Sequence, residues 1–167
     1  YINSWGQGQF YLDKSGKGVF QQGDMTVKPN KPSVLLDSTG AYFQRAKPQY
    51  ESYAAADFVS VKSQGAKGDG KTDDTAVIQA TLNNYAGCKI IYFPAGIYHI
   101  SSTVLVPAGS RIVGEVWSVL AATGSAFGDS TKPIPMIKVG NSGDEGLVEI
   151  SDILFSHAGQ VPGATLV

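Results

Sequence analysis

The sequence predicts an all-β protein built as a parallel β-helix, and three observations lead to this fold class. Charged residues make up only 16% of the 167 residues, while the 20 glycines accompany many β-branched residues, which is typical of β-proteins with many turns. Short apolar runs alternate with turn residues from position 90 onward. These runs recur from Ile90 to Ile112 and again from Ile112 to Ile137. A recurrence in the low twenties indicates coils that stack on one another.

The apolar runs give the expected strands, and one helix is expected among them. The strands are predicted at 58–61, 90–93, 97–100, 104–106, 112–113, 119–121, 136–139, 148–150, 153–155 and 165–167. Val77, Ile78, Leu82 and Tyr85 form one apolar face at helical spacing, which predicts a helix over residues 73–86.

The ends of this helix are also expected from the sequence. Thr72 is the expected N-cap, and Asp73 and Asp74 would lie in the first turn, where the helix dipole favours anions. Gly87 would end the helix. The helix would then cover the open end of the first coil and protect its sheet edges.

Residues 1–57 and 58–167 have different patterns. The first stretch has no sustained periodicity, but aromatic residues recur among its glycines and prolines. Because a flexible linker is poor in aromatic residues, we expect residues 1–57 to form an extended inter-domain arm. Residues 58–167 would be the first coils of a β-helix domain. No polar capping coil follows the last predicted strand, so we expect this domain to be incomplete at its C-terminus.

Composition and charge exclude two classes of partner. The net charge is −1 and the basic residues are scattered, so no patch for nucleic-acid phosphates is expected. No apolar run approaches the roughly 20 residues that span a bilayer, so no membrane partner is expected. The first residues are not a signal peptide, but the chain does not begin with Met, so this does not indicate the cytoplasm. Cys88 is either a small buried thiol or a half-cystine whose partner lies outside this chain.

Residues 65–72 match the phosphate-binding pattern G-x-x-x-x-G-K-[ST] between a predicted strand and a predicted helix. Asp69 would repel phosphate there, and Pro94 rather than an acidic Mg²⁺ ligand follows the next strand. We therefore favour a Gly-rich strand-to-helix turn over a nucleotide site. Asp69, Asp73 and Asp74 do not have the spacing of a calcium loop, and no metal site is predicted.

Carboxylates are the usual catalysts of glycoside hydrolysis, and four glutamates are candidates: Glu51, Glu115, Glu145 and Glu149. Glu115 follows a strand and a glycine, so we interpret it as a structural turn residue. Glu149 alternates with Val148 and Ile150, so its side chain should point away from the core, toward solvent or a cleft.

The histidines and tryptophans give weaker indications. His99 is expected to point outward from its strand, and His157 to lie in a loop after one. Neither histidine has the spacing of a metal ligand. Trp5 and Trp117 could stack on sugar rings, but packing in a core or an interface is favoured.

The segment 58–76, with GAKGDGKTDDTA at 65–76, strongly resembles the opening of pectate-lyase-like β-helix domains. Residues 91–98 and 111–118 continue this resemblance, which implies a right-handed parallel β-helix with an N-terminal capping helix. Residues 4–8, 31–37 and 47–51 resemble the inter-domain connection of fungal glycoside hydrolase family 55. Residues 150–156 and 162–164 are similar to the second domain of that family.

The resemblance implies a secreted, extracellular exo-β-1,3-glucanase that acts on laminarin-type glucans. Such enzymes carry two β-helices side by side with the substrate cleft between them. They use an inverting mechanism, in which a Glu acts as the general acid and a held water attacks. The expected partners are β-1,3-glucan and the rest of the same polypeptide, and no cofactor is expected.

The same resemblance places the acid downstream of Val167 and the water-holding residues upstream of Tyr1. No residue here is therefore assigned a catalytic role, the substrate-binding residues stay unassigned, and the chain alone should be inactive. The alternatives are a non-catalytic β-helix module that binds carbohydrate or has a structural role, and a polysaccharide lyase that requires Ca²⁺ and a basic residue.

Overall fold

The computed structural model describes residues 5–11, 16–24 and 32–167. The chain divides into two compact units, Tyr1–Ala46 and Lys47–Val167. Residues 47–57 belong to the second unit, although the sequence groups them with the preceding arm. The inter-domain role of residues 1–57 stays a prediction.

In the first unit, two strands that the sequence analysis did not predict form a small sheet. β1 (Trp5–Phe10) pairs antiparallel with β2 (Val19–Asp24), from Trp5 opposite Asp24 to Phe10 opposite Val19. A 3₁₀ turn at Ser33–Leu35 precedes an antiparallel bridge between Leu36 and Tyr42. Both strands contain glycine and mix polar with apolar residues on each face, so the alternation that marks a half-buried strand is weak.

The second unit is mostly β, with one α-helix among its described residues. Its elements are a 3₁₀ turn at Ala55–Asp57, β3 (Phe58–Ser60), β4 (Asp69–Asp73), α1 (Thr75–Tyr85), β5 (Ile90–Tyr92), β6 (Gly96–Ile100), β7 (Val104–Val106), β8 (Arg111–Ala122), a 3₁₀ turn at Ser125–Phe127, β9 (Ile134–Pro135), β10 (Ile137–Val139), β11 (Glu149–His157) and β12 (Ala164–Thr165). The strand pairs formed by β3 to β12 are all parallel.

These strands form a curled parallel sheet. The strands pair side by side in two main rows, which we call ladder 1 and ladder 2. Ladder 1 consists of β3, β5 and the first parts of β8 and β11, paired in that order. Ladder 2 consists of β4, β6 and the second parts of β8 and β11, also paired in that order. β8 and β11 belong to both ladders because each contains a residue in the left-handed region, Val116 with φ 68° and Asp152 with φ 57°. β7 pairs with β10, and β9 with β12.

The hydrophobic core lies on the inner face of the curled sheet. Its inward row on ladder 1 consists of Val59, Ile91, Ile112 and the partly buried Ile150. On ladder 2 the fully buried Tyr98 packs edge-to-face on Phe93, with ring centroids 5.4 Å apart. The Tyr98 hydroxyl donates to the Pro94 carbonyl at 2.6 Å, and burial raises the pKa of Tyr98 to about 12.

The predicted start of the helix is wrong, because the helix begins later than the sequence indicates. α1 begins at Thr75 with Asp74 as its N-cap, and Asp73 belongs to β4 instead of the first helical turn. The reason is tertiary, because the Asp74 amide bonds to the His99 carbonyl at 3.0 Å and holds this part of the chain against β6. The predicted end is confirmed, since Gly87 follows the C-cap with φ 78°.

The helix binds the edge of β7, where the backbone would otherwise lack a partner. The Gln79 side-chain amide accepts from the Leu105 N–H at 2.7 Å and donates to the Leu105 carbonyl at 2.9 Å. Ile78 and Leu82 of the predicted apolar face are buried in the core. The helix therefore covers a sheet edge, as the sequence predicts.

The predicted recurrence from Ile90 to Ile112 is one residue out of register, because Ile90 pairs with Arg111. The predicted recurrence from Ile112 to Ile137 is wrong. Ile112 is in register with Ile91 before it and with Ile150 after it, while Ile137 is in register with Val104. The sequence spacing thus joins strands of two different ladders. The connections at 123–133 and 140–148 lengthen the coil between β8 and β11. The described coils therefore do not repeat at a fixed number of residues. The runs at 112–113 and 119–121 are parts of one strand, because Val116 bends β8 without ending it.

Candidate functional site

The outer face of ladder 1 carries a set of neighbouring polar and aromatic side chains. One outward row contains, in register, Phe58, Ile90, Arg111 and Glu149. The next outward row contains Ser60, Tyr92, Val113 and Ser151. Ile90 is fully buried although it faces outward, which shows that another segment covers this face.

Residues 47–57, here called the covering segment, lie over these rows. The Tyr50 hydroxyl donates to Glu149 Oε2 at 3.2 Å. The Tyr50 ring also makes edge contacts with Tyr53 and Phe58, with centroids 5.8 and 6.2 Å apart. The Arg111 guanidinium lies 5.5 Å from the centre of the Tyr53 ring, a cation–π contact. The covering segment is therefore attached to the sheet through its aromatic side chains.

A groove of about 530 Å³ lies between the covering segment and the sheet. We call it the ladder-1 groove, and its lining consists of Lys47, Pro48, Gln49, Tyr50, Ala55, Phe58, Tyr92, Val113 and Asp152. Mostly apolar walls with a few convergent polar groups, in a volume of about 300–1,000 Å³, are the usual features of small-molecule sites.

The charged groups at the ladder-1 groove are paired with one another. Lys47 forms an ion pair with Asp152, and Arg111 Nε lies 4.0 Å from Glu149 Oε2. Burial, and then the charge of Glu149, raise the pKa of Tyr50 to about 12. The phenol therefore stays protonated and able to donate at neutral pH.

The bend of β11 forms one end of the groove. Asp152 adopts φ 57°, a conformation that Asp and Asn accept more readily than most residues. A Cβ at Gly114 would lie 2.2 Å from the Asp152 carbonyl oxygen, so only glycine allows β8 to approach this bend. The neighbouring Ser151 Oγ is shielded from solvent and has no hydrogen-bond partner among the described residues.

The structure places the four candidate glutamates in different environments. Glu149 points outward, as predicted, and joins the cluster beside the groove. Glu115 has the predicted structural role, because it accepts the Ala95 N–H at 2.9 Å and so fastens β8 to the preceding turn. Glu51 and Glu145 lie exposed outside the strands.

The predictions for the histidines are partly corrected. His99 points outward between the buried Tyr98 and Ile100, as predicted. His157 is the last residue of β11 rather than a loop residue, with Nδ1 3.2 Å from the Gly159 carbonyl.

Neither tryptophan packs in the core, since Trp5 is 51% exposed and Trp117, beside the bend at Val116, is 77% exposed. Packing of these rings in an interface stays a prediction. The buried-thiol interpretation of Cys88 is also wrong, because this residue is exposed.

The loop that matches the phosphate-binding pattern satisfies its own donors. The Asp74 carboxylate accepts the N–H groups of Lys67 and Gly68 at 2.7 and 2.9 Å. The Asp69 carboxylate accepts those of Lys71 and Thr72 at 2.9 and 2.8 Å. These amides are the donors that a phosphate would require, so this loop is a structural turn.

Two kinds of feature are absent from the part of the chain that the structure describes. Its His, Cys, Asp and Glu side chains form no group of three or more that could hold a metal ion. None of its helices is both long and apolar enough to cross a lipid bilayer.

Sequence reasoning missed most of the groove. Lys47, Tyr50, Tyr92 and Asp152 were not predicted as site residues, and they come from three separate parts of the sequence. A usable signal was the alternation beside the inward Ile91 and Ile112, which places their neighbours on the outer face. That signal does not reveal which segment covers the face.

The family-model comparison identifies the fold family. Residues 58–154, more than half of the chain, match the model described as rhamnogalacturonase A/epimerase, pectate lyase-like. The chain belongs to this pectate-lyase-like family. The matched region contains all of ladder 1 of this chain, and the covering segment immediately precedes the matched region.

Three relatives illustrate what this pectate-lyase-like chain is similar to. A probable glucan endo-1,3-beta-glucosidase of Arthroderma benhamiae is 53% identical over 84% of the chain. A glucan 1,3-beta-glucosidase of Cochliobolus carbonum is 39% identical over 99%. A non-secreted LysM effector, LysM19 of Penicillium expansum, is 41% identical over 99%. The chain spans 16%, 21% and 13% of these relatives, respectively. The two glucosidase names confirm the resemblance to fungal β-1,3-glucanases.

Proposed function

We propose that this chain is part of a β-1,3-glucan hydrolase. The observation that carries the proposal is the 53% identity, over 140 residues, to a probable glucan endo-1,3-beta-glucosidase. The ladder-1 groove supports it, because aromatic walls with a few polar groups suit a sugar ring. Since the chain spans a small share of its glucosidase relatives, the activity belongs to the whole protein.

The chain contributes binding and framework rather than catalytic groups. The general acid of an inverting glycosidase must reach the leaving oxygen, and a second carboxylate must hold a water about 6.5–9.5 Å away. Glu115 is engaged by a backbone N–H, and Glu149 by Tyr50 and Arg111. The resemblance to glycoside hydrolase family 55 supports a catalytic pair outside residues 1–167, and we expect these residues alone to be inactive.

Three finer features belong to the same proposal. The parallel ladders and the family match support a complete right-handed β-helix in the whole protein. Exo action and an inverting mechanism are supported by the resemblance to glycoside hydrolase family 55, whereas the endo name of the Arthroderma relative favours internal cleavage. Secretion is supported by the same resemblance, whereas the name of the Penicillium relative argues against it.

The test combines the intact mass of the purified native protein with a laminarin assay on the same sample. We expect a mass several-fold above 17.6 kDa and release of glucose. The anomeric configuration of the first product, followed by NMR, separates inversion from retention. Glucose as the first product indicates exo action, and mixed oligosaccharides indicate endo action. Laminarin left intact by the folded native protein would contradict the proposal.

A non-catalytic carbohydrate-binding or structural module is the second candidate. It is favoured by one observation: a relative 41% identical over 99% of this chain is named an effector and not an enzyme. This candidate predicts that the native protein binds laminarin without releasing sugar. A pull-down on insoluble β-1,3-glucan, run beside the hydrolysis assay, separates the two candidates.

A further inference from the structure

We infer that the ladder-1 groove is a binding subsite for a neutral glucan chain, and that the Lys47–Asp152 ion pair inside it discriminates against acidic sugars. The inference deepens the proposed function, on which it rests for the choice of a glucan as the ligand. It adds a location, a set of contact residues and a physical basis for selectivity.

The shape and lining of the groove favour a sugar ring. Tyr92, Val113 and Phe58 lie side by side on the outer face of ladder 1 and form an apolar floor. A pyranose ring has a face of C–H groups that packs on such a surface, while its hydroxyls project at the rim. Lys47 and Asp152 line the same groove, and both can hydrogen-bond to hydroxyl groups.

The charge balance favours a neutral sugar over a uronic acid. Recognition of a carboxylated sugar requires an available cation, but Lys47, the one cationic residue among the nine described residues that line the groove, is paired with Asp152. A uronate carboxylate placed here would also approach Asp152 and be repelled. The pectate-lyase-like fold alone does not distinguish these two substrate classes, whereas the paired charges do.

The test measures binding of two oligosaccharides to the purified native protein by calorimetry. The neutral probe is an S-linked laminaripentaose, which resists hydrolysis, and the acidic probe is pentagalacturonate. We expect the neutral probe to bind about tenfold more tightly or better. Equal affinity for the two probes, or tighter binding of pentagalacturonate, would overturn the inference.

The first variant tests the floor. Tyr92→Ala should weaken laminaripentaose binding about tenfold, or remove one binding site from the stoichiometry. Leu154→Ala is the control, because it removes an exposed apolar side chain that is not among the groove residues. Unchanged affinity and stoichiometry in a folded Tyr92→Ala protein would show that the ligand binds elsewhere. Phe58→Ala, which removes another ring of the floor, gives the same readout if Tyr92→Ala does not fold.

The second variant tests the selectivity. Asp152→Asn leaves Lys47 unpaired while keeping a residue that tolerates the left-handed conformation, so pentagalacturonate affinity should rise several-fold. Glu145→Gln makes the same change in net charge in an exposed loop and should leave both affinities unchanged. No gain for Asp152→Asn, or an equal gain in the control, would contradict the role of the ion pair.

The laminarin assay keeps the two proposals separate. A protein that releases no sugar but loses laminaripentaose binding in Tyr92→Ala would refute the hydrolase and retain the subsite. A protein that hydrolyses laminarin, with groove variants that bind like the wild type, would refute the subsite alone.

Discussion

The capping loop (residues 65–74) and the ladder-1 groove both contain carboxylates, but different groups bind them. In the loop, Asp69 and Asp74 each accept two backbone N–H groups of their own segment. At the groove, Asp152 and Glu149 are held by the side chains of Lys47, Arg111 and Tyr50. The loop carboxylates thus fix the path of the backbone, whereas the groove carboxylates join separate surfaces.

This difference indicates which acidic residues are available for function. A carboxylate saturated by its own backbone cannot change partners without loss of local structure. A carboxylate held by a side chain in a concave surface can exchange that partner for a ligand hydroxyl. The loop has the more conspicuous sequence motif, but the carboxylates at the groove are the ones that can bind a ligand. Four substitutions, given in order of expected effect, test the comparison.

Asp74→Ala should have the largest effect, a loss of about 2–5 kcal/mol in the free energy of unfolding. Asp74 is 2% exposed, and the change leaves the N–H groups of Lys67 and Gly68 without their acceptor. Urea unfolding measures the loss. Asp74→Asn keeps one acceptor oxygen and should recover part of it. A loss under about 1 kcal/mol would mean that water replaces the carboxylate and that the loop is not fixed by it.

Gly114→Ala should destabilise the protein by about 1–3 kcal/mol or more. The new Cβ would meet the Asp152 carbonyl oxygen at 2.2 Å, and neither backbone can move without disturbing the bend that ends the groove. Gly128→Ala is a milder control, because its nearest atom is the Ser125 oxygen at 3.1 Å. Thermal unfolding of both variants tests this, and equal stabilities would contradict the close approach.

Asp69→Asn should lower the melting temperature by a few degrees at neutral pH. Hydrogen bonds from the backbone of Thr72 and Lys71, and from the Thr72 hydroxyl, lower the pKa of Asp69 to about 2. A carboxyl with a lowered pKa in the folded state stabilises it above about pH 4, the unfolded value, and loses this contribution as the pH falls toward 2.

The melting-temperature difference between wild type and Asp69→Asn should therefore close between pH 4 and pH 2. Calorimetric scans across this range measure it, with Glu145→Gln as an exposed control. A difference that is constant with pH would show that the carboxylate charge is not responsible.

Glu149→Gln should change the free energy of unfolding by less than about 1 kcal/mol. The Arg111–Glu149 distance of 4.0 Å is long for an ion pair, and the Gln amide oxygen can still accept from Tyr50. Denaturant titration gives the value. A loss as large as that of Asp74→Ala would make Glu149 a structural residue like those of the capping loop, and would remove the distinction between the two regions.

Much of the parallel architecture could be predicted from the sequence, because it depends on local patterns. The run 104–106 matches β7 in full, and the run 90–93 contains all of β5. The end of the helix at Gly87 follows from the conformational freedom of glycine. The family resemblance at 58–76 was carried by contiguous residues and is confirmed by the match over 58–154.

The sequence by itself determined which residues form most of the strands of the second unit, and that a helix protects one sheet edge. Only the tertiary structure decided the register of the coils, the start of α1 at Thr75, and the ladder-1 groove. The physical reason is the range of the interactions. Periodicity and turn chemistry act over a few residues, whereas the contact between Tyr50 and Glu149 joins residues 99 positions apart. Such a contact depends on loop lengths and on which segment covers the sheet, and neither is encoded in a local pattern.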